Sequence, residues 1–276
     1  MHKIEISVIM PVYKGDVAPH FDDALASVVD QSYPAKEIVV IKDGPLTDEL
    51  YQVLDKWCKK SELIKPVTLE KNVGLSSALN AGIDAANYEW LARMDADDIC
   101  KPDRFEKQVR FIEANPEVSI LGSWITEFDE DMNEEIAVRK LPETHDEILN
   151  YAKWRCPFNH MTVMYKRDAI VALGKYKNYG AVGDDYELWA RFLVNGYKSG
   201  NLQEVLVDAR TGKDFFGNRR RGMKYFKNEV REINDLYKLG LINPLHYAFH
   251  FSIKAVVRFS PPALVKLIYK GIRKTS

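Results

Sequence analysis

Cysteine is scarce in this chain. Its 276 residues include three, Cys58, Cys100 and Cys156, set far apart. That spacing builds neither a disulfide framework nor a zinc site, and it fits a reducing compartment. Long apolar runs are missing too. The longest uncharged stretch near the C-terminus, 239–253, contains Gly240, Asn243, Pro244 and two histidines. A membrane span needs about 20 mostly apolar residues. Residues Met1 to Ser7 lead into a short apolar run that Pro11 interrupts, so no secretion signal is expected. There is no internal repeat and no low-complexity tract. The formal charge of −1 excludes a polycation. What remains is a soluble globular pattern, 46% apolar and 29% charged, with enough chain for one large domain or two modest ones.

The charge is unevenly spread. From Arg210 to Ser276 there are fifteen Lys and Arg against four Asp and Glu, a net +11, so the first 209 residues carry a net −12. An acidic body with a basic tail implies that the two parts meet different partners.

The first half alternates strand and helix signals. Apolar or β-branched runs at Ile6–Val12, Glu37–Ile41, Val67–Leu69, Trp90–Met94 and Val118–Trp124 read as strands. Between them lie helical spacings at Phe21–Val29, from Thr47 (a cap) to Trp57, over Leu75, Leu79 and Ile83, and from Pro102 to about Glu113. This order predicts an α/β fold with a parallel, doubly wound sheet. Beyond Phe128 the signals are sparser: an acidic turn at Asp129–Glu135, a helix within Glu143–Trp154, strands at Met161–Tyr165 and Leu202–Val207, a helix over Tyr186–Val194, and helices after Arg219. A soft boundary falls near 210–217.

In an open α/β sheet, ligands bind beyond the carboxyl ends of the strands. The first strand ends at Pro11-Val12-Tyr13, the second at Asp43 and the fourth at Asp95-Ala96-Asp97-Asp98. Three carboxylates within four residues repel one another unless a cation sits among them. Hard divalent ions such as Mg²⁺ and Mn²⁺ take such oxygen ligands and share them with substrate phosphates. A plain helix N-terminus ahead of Pro102 would also account for these acids.

Six ordered segments carry a resemblance. They are Pro11-Val12-Tyr13, then Val40-Ile41-Lys42-Asp43-Gly44, then Asn72-Val73-Gly74-Leu75 with Asn80. Arg93-Met94-Asp95-Ala96-Asp97-Asp98 follows, then Asn159-His160 with Val163-Met164-Tyr165, and finally Gly183-Asp184-Asp185-Tyr186-Glu187-Leu188-Trp189. Together they resemble the inverting family-2 glycosyltransferases of GT-A fold, over roughly residues 5 to 210, and in particular those that build bacterial O-antigen and exopolysaccharide. Departures from the family pattern stand at Lys14, Lys42, Pro45, Met161 and Asp184, and none removes a presumed catalytic carboxylate.

The resemblance implies a mostly parallel GT-A sheet flanked by helices over residues 1–215, which bind the nucleotide sugar and catalyse transfer. A basic helical extension would cover 216–276. It implies Asp185 as general base, with Asp184 as the alternative. Asp184 and Glu187 also have the spacing of a capping box. Asp97 would ligate Mn²⁺ or Mg²⁺; Asp95 would share the metal or meet ribose, and Asp98 would be a third ligand. Asp43 would accept from the N3–H of uracil, which favours UDP as carrier, although an Asp before Gly44 is also a turn former. Pro11, Tyr13, Asn72, Gly74 and Arg93 would line the donor pocket. His160 would contact diphosphate, metal or acceptor, or be a structural histidine. The implied reaction moves a hexose of glucose or galactose type from a UDP-sugar to a sugar on an undecaprenyl-diphosphate lipid, with a β-linkage. A sugar nucleotidyltransferase is a poorer match, because no Gly- and Lys-rich phosphate loop follows the first strand. A nucleotide-sugar or glycan-binding protein without turnover is the other alternative.

The basic tail adds Arg219-Arg220-Arg221 with Lys224 and Lys227, then Lys254 and Arg258, and Lys266, Lys270 and Lys274 among apolar residues. The arginine run reads as a solvated basic face or as a phosphate site for donor or acceptor, and the pattern from Lys254 to Lys274 is a basic amphipathic one that fits an anionic membrane surface. A helical cap packed on the body is the plainer reading. Aromatics do not interleave with the basic residues as a nucleic-acid platform would require, so no nucleic-acid partner is expected. The expected location is cytoplasmic, peripheral on the inner face of the cell membrane.

Overall fold

The computed structural model describes residues 3–179, 184–211 and 222–259. Its first half runs β1 (Ile6–Val12), α1 (Ala18–Val29), β2 (Glu37–Asp43), α2 (Asp48–Lys60), β3 (Ile64–Leu69), α3 (Leu75–Ala85), β4 (Trp90–Arg93), β5 (Ile99–Cys100), α4 (Arg104–Ala114) and β6 (Val118–Phe128). There follow β7 (Glu135–Arg139), α5 (His145–Tyr151), a 3₁₀ turn (His160–Thr162), β8 (Met164–Lys166), α6 (Arg167–Ala172), α7 (Asp184–Val194), β9 (Lys198–Arg210), α8 (Met223–Lys238) and α9 (Pro244–Phe259). The sheet order is β3-β2-β1-β4-β8-β6-β9-β5, with β7 paired to β6.

The apolar strands split between two cores by their period of two. Val8 and Met10 of β1, with Ile38 and Val40 of β2, pack with Phe21, Leu25, Leu50, Leu54 and Phe105 from α1, α2 and α4. The alternate residues Ile9, Val39, Ile41 and Leu91 meet Ala78, Leu79 and Ile83 of α3 on the other face. That second core also takes in Leu188, Trp189 and Phe192 of α7, and Ile233 and Leu236 of α8. The boundary placed near residue 216 lies outside the described residues. Among the described residues no helix is long and apolar enough to cross a membrane.

The strands β1 to β4 pair in parallel, as do β6 and β9. The sheet is mostly parallel, as expected, but β8 runs antiparallel to both β4 and β6. The consequence is positional. The residues just before β8 lie at the carboxyl end of β4, and Arg93 N–H donates to the Val163 carbonyl at 2.9 Å. The sequence pattern predicts a strand from Met161, but the chain makes a 3₁₀ turn there. Its Thr162 hydroxyl donates to the Asn159 carbonyl at 2.8 Å and accepts from the Ser123 N–H at 3.0 Å, which holds the backbone coiled. The pattern predicts no strand at β7, which has charged ends. Asp129 closes that hairpin by accepting from the N–H groups of Asn133 and Glu134. The cap expected at Thr47 is present, its hydroxyl accepting from Leu50 N–H at 3.4 Å.

Glu37, wholly buried at the start of β2, ties four segments together. Its carboxylate accepts from Ser7 Oγ (2.6 Å), Lys65 Nζ (2.7 Å), Asn87 N (2.6 Å) and Asn87 Nδ2 (2.8 Å). Burial works to raise its pKa, but these donors outweigh it and hold the carboxyl below the usual range. Replacing Glu37 by Ala strands several of these donors. The expected loss is about 2–4 kcal/mol in urea unfolding; a loss under about 1 kcal/mol would mean that water replaces the carboxylate.

Candidate active site

The carboxyl ends of β1, β2 and β4 converge, and the expected residues gather there in three groups. The first is the acidic turn. Carboxylate oxygens of Asp95, Asp97 and Asp98 lie within 4.8 Å of one another. Arg93, buried at the end of β4, holds Asp95 with both terminal guanidinium nitrogens. The backbone N–H of Arg210 donates to Asp98 Oδ1 at 2.9 Å, while Asp98 Oδ2 is buried with no hydrogen-bond partner among the described residues. Arg210 Nη1 donates to the Asp97 carbonyl at 3.1 Å, and its Nη2 to Asp23 at 2.9 Å. The antiparallel pairing of β5 with β9, Ile99 opposite Asp208, delivers Arg210 to this turn.

An orphaned, buried carboxylate oxygen is costly unless something positive meets it. Three hard oxygen donors around it are the donor set of Mg²⁺ or Mn²⁺. The residues therefore fit a divalent cation better than a bare helix N-terminus, and Asp103, not one of these acids, is the residue that precedes α4.

Asp16 joins this group. Its Oδ2 accepts from Tyr13 N–H at 2.8 Å. Burial, aided by the charges of Asp97 and Asp95, pushes its pKa up to about 7 against that bond. Burial and the Asp95 charge push Asp97 up to about 6, and burial with Asp95 and Asp97 pushes Asp98 well above the usual range. Tyr13 lies half-buried beside these acids at the end of β1, and Pro11 is buried within that strand.

The second group is a clasp between β2 and α3. Both oxygens of Asp43 are engaged, Oδ1 by Val73 N–H at 2.7 Å and Oδ2 by Gly74 N–H at 3.0 Å. Asn72 Nδ2 donates to the Asp43 carbonyl at 3.3 Å. Gly44 has φ +85°, and a Cβ there would stand 2.6 Å from Asn72 N, so only glycine lets the two loops touch. Gly74, φ +87°, begins α3 with open space around it.

The third group surrounds the 3₁₀ turn. His160 Nε2 hydrogen-bonds Tyr176 Oη at 2.9 Å, and its ring meets Trp189 edge-on. Burial, reinforced by Arg93, pushes the His160 pKa well down, so the ring is neutral at pH 7. Tyr176 is fixed by Asn80, which bonds both its N–H and its carbonyl at 2.9 Å. The Tyr176 phenol feels the charges of both Arg93 and Asp185, so it stands between the acidic turn and the first turn of α7. Asp185 lies in that turn, half-buried, with the Cys156 thiol 3.6 Å from its Oδ2. Burial first, then the Asp185 charge, pushes the Cys156 thiol well up, so it stays protonated.

Glu187 is wholly buried, and its oxygens are taken by Arg191 (2.9 Å) and Lys177 (2.8 Å). The capping-box spacing of Asp184 with Glu187 depends on the Asp184 side chain, which, like Gly183, lies outside the described residues. Asp16, Cys156, Tyr176 and Arg210 enter the site without a motif to announce them. Only Asp16 carried a usable signal, as an acid just past the first strand.

Because Asp16 and Asp97 bind protons more tightly folded than unfolded, their contribution to stability falls as pH rises from about 4, the unfolded carboxyl value, through 6 to 7. In EDTA, Asp16→Asn or Asp97→Asn should therefore raise the melting temperature relative to the native chain more at pH 8 than at pH 5. An equal shift at both pH values would contradict the assignment.

The comparisons with known proteins agree with this geometry. The family model described as Glycosyl transferase family 2 matches residues 7–174. The amylovoran biosynthesis glycosyltransferase AmsE of Erwinia amylovora is 36% identical over 272 residues, 97% of this chain and 99% of that protein. The UDP-Gal:alpha-D-GlcNAc-diphosphoundecaprenol beta-1,3-galactosyltransferase of Escherichia coli is 35% identical over 268 residues, 97% of this chain and 96% of that protein. Among solved structures, S. aureus TarS 1-349 in complex with UDP superposes with a TM-score of 0.66 at 18% identity, covering 94% of this chain and 72% of that one. The mannosyltransferase PcManGT from Pyrobaculum calidifontis, solved with GDP-Man and Mn²⁺, gives 0.64 at 18% identity, covering 98% and 80%. At that identity the structures establish the shared GT-A fold alone. The acids at one sheet edge, the family match and the full-length relatives together make this chain a glycosyltransferase of family 2.

Proposed function

We propose that the enzyme is an inverting transferase that moves a hexose, of glucose or galactose type, from a UDP-sugar to a sugar on an undecaprenyl-diphosphate lipid. It would form a β-linkage in surface polysaccharide synthesis, working from the cytoplasm at the inner face of the cell membrane. The observation that carries the reading is the acidic turn with its orphaned Asp98 oxygen at the carboxyl edge of the sheet. The Escherichia coli relative, named for a UDP-Gal donor and a diphosphoundecaprenol acceptor, supports the substrate classes.

In this reading Asp43 serves twice. Its carboxylate holds the Val73–Gly74 backbone, and a remaining lone pair accepts from the N3–H of uracil. Asn72, Gly74, Pro11 and Tyr13 line the same pocket. Asp97 and Asp98, with Asp95, would hold Mn²⁺ or Mg²⁺, which when bound offsets charge on the donor diphosphate. Arg93 orients Asp95 through both of its terminal guanidinium nitrogens. Asp185 takes the proton from the acceptor hydroxyl. That oxygen then bonds to the anomeric carbon from the face opposite the diphosphate, the carbon–oxygen bond to phosphate breaks, and UDP leaves with the electron pair. Inversion follows from that in-line geometry. Neutral His160 and Tyr176 offer hydrogen bonds, without added charge, between the two halves of the site.

Asp185→Asn should lower kcat by about 10²–10⁴-fold and leave UDP binding within a few-fold. Unchanged turnover would remove Asp185 from the chemistry. Asp97→Asn should abolish the response of UDP binding to Mn²⁺ or Mg²⁺; a full response in the variant would mean that the cation binds elsewhere.

A further inference from the structure

The last described helix is amphipathic in the wrong sense for a water-facing helix. A surface helix of a soluble protein turns its apolar side inward and its charges outward. Helix α9 has two charged residues, Lys254 and Arg258, and both turn inward. Lys254 Nζ lies 2.9 Å from Glu229 Oε1. Arg258 donates through Nε and Nη2 at 2.7 Å to the two oxygens of the same wholly buried carboxylate. Those cations are spent on clasping α9 to α8, which corrects the expectation that they face lipid.

The outer side of α9 is apolar. Leu245 is 78% exposed, Phe249 42%, Val256 44% and Phe259 53%. At about 100° per residue these four, with Ser252 among them, fall within an arc of about 80°. No charged residue is exposed on the helix. Trp154, also exposed, extends the stripe, its ring edge-on to Phe249 at 5.2 Å and to His246 at 4.3 Å. A continuous apolar stripe on an outer surface marks a binding surface.

We propose that the outer face of α9, from Leu245 to Phe259 with Trp154 at its edge, lies in the headgroup layer of an anionic membrane. Charge complementarity decides for lipid over another protein surface. No acid follows Asp235 in the sequence, and Lys266, Lys270, Arg273 and Lys274 come after α9, with Arg219 to Arg221 before α8. An apolar stripe with cationic flanking sequence is the composition that anionic bilayers hold, and a Trp belongs at such a boundary. The inference deepens the proposed lipid-linked acceptor by naming the surface that would bring the enzyme to it.

The test uses the full chain and vesicles free of any saccharide lipid, so it does not depend on the acceptor reading. Native protein should co-sediment with phosphatidylglycerol-containing vesicles and much less with pure phosphatidylcholine. Leu245→Gln with Phe249→Gln should weaken that partition at least tenfold, while hydrolysis of a UDP-sugar without vesicles, and the melting curve, stay as in the native chain. Equal partition of the variant would overturn the proposal. So would native protein that ignores both vesicle types, including the case where sedimentation velocity shows a dimer that the variant lacks, which would assign the face to a second copy.

Discussion

Carboxylates crowded at one sheet edge repel each other, and the architecture around them answers that repulsion. Asp95, Asp97 and Asp98 come from a single turn, and Asp16 leans in from the end of β1. Two arginines oppose them from different directions, Arg93 through the Asp95 carboxylate and Arg210 through the backbone of the turn. Even so, burial keeps Asp16, Asp97 and Asp98 reluctant to ionise, and one oxygen of Asp98 has no partner among the described residues. Folding alone leaves the turn electrostatically incomplete, and the proposed divalent cation would complete it.

Positioning that turn explains the irregular middle of the sheet. A parallel strand between β4 and β6 would send the preceding residues to the opposite edge. The antiparallel β8 instead places the 3₁₀ turn, with His160, beside Arg93. The short β5, antiparallel to β9, does the same for Arg210. The Tyr176 phenol, bonded to His160 and within the fields of Arg93 and Asp185, links the acidic turn to α7.

The strands β1, β2 and β4 were legible because each is a mostly apolar run buried on both faces, whereas β3, with Lys65, Pro66 and Thr68 at the sheet edge, showed only from Val67; Thr47 caps α2 by a purely local contact. The acidic turn was legible because its residues are adjacent in sequence. Asp43 showed as an acid at a strand end, but its bonds to Val73 and Gly74 depend on how α3 docks. Arg210 and Cys156 were not legible, since each acts on partners 112 and 29 positions away, respectively. Lys254 and Arg258 misled for the same reason. Their spacing reads as an exposed basic face until Glu229, a helix earlier, is seen between them.

The most direct test of the central claim, that the acidic turn holds a cation against a uridine diphosphate, is calorimetric binding of UDP-, GDP- and dTDP-sugars with Mn²⁺, Mg²⁺ or EDTA. The account predicts binding of at least one UDP-sugar that needs the cation and is lost in EDTA. Folded protein that binds none of these donors, or binds them equally well in EDTA, would contradict it.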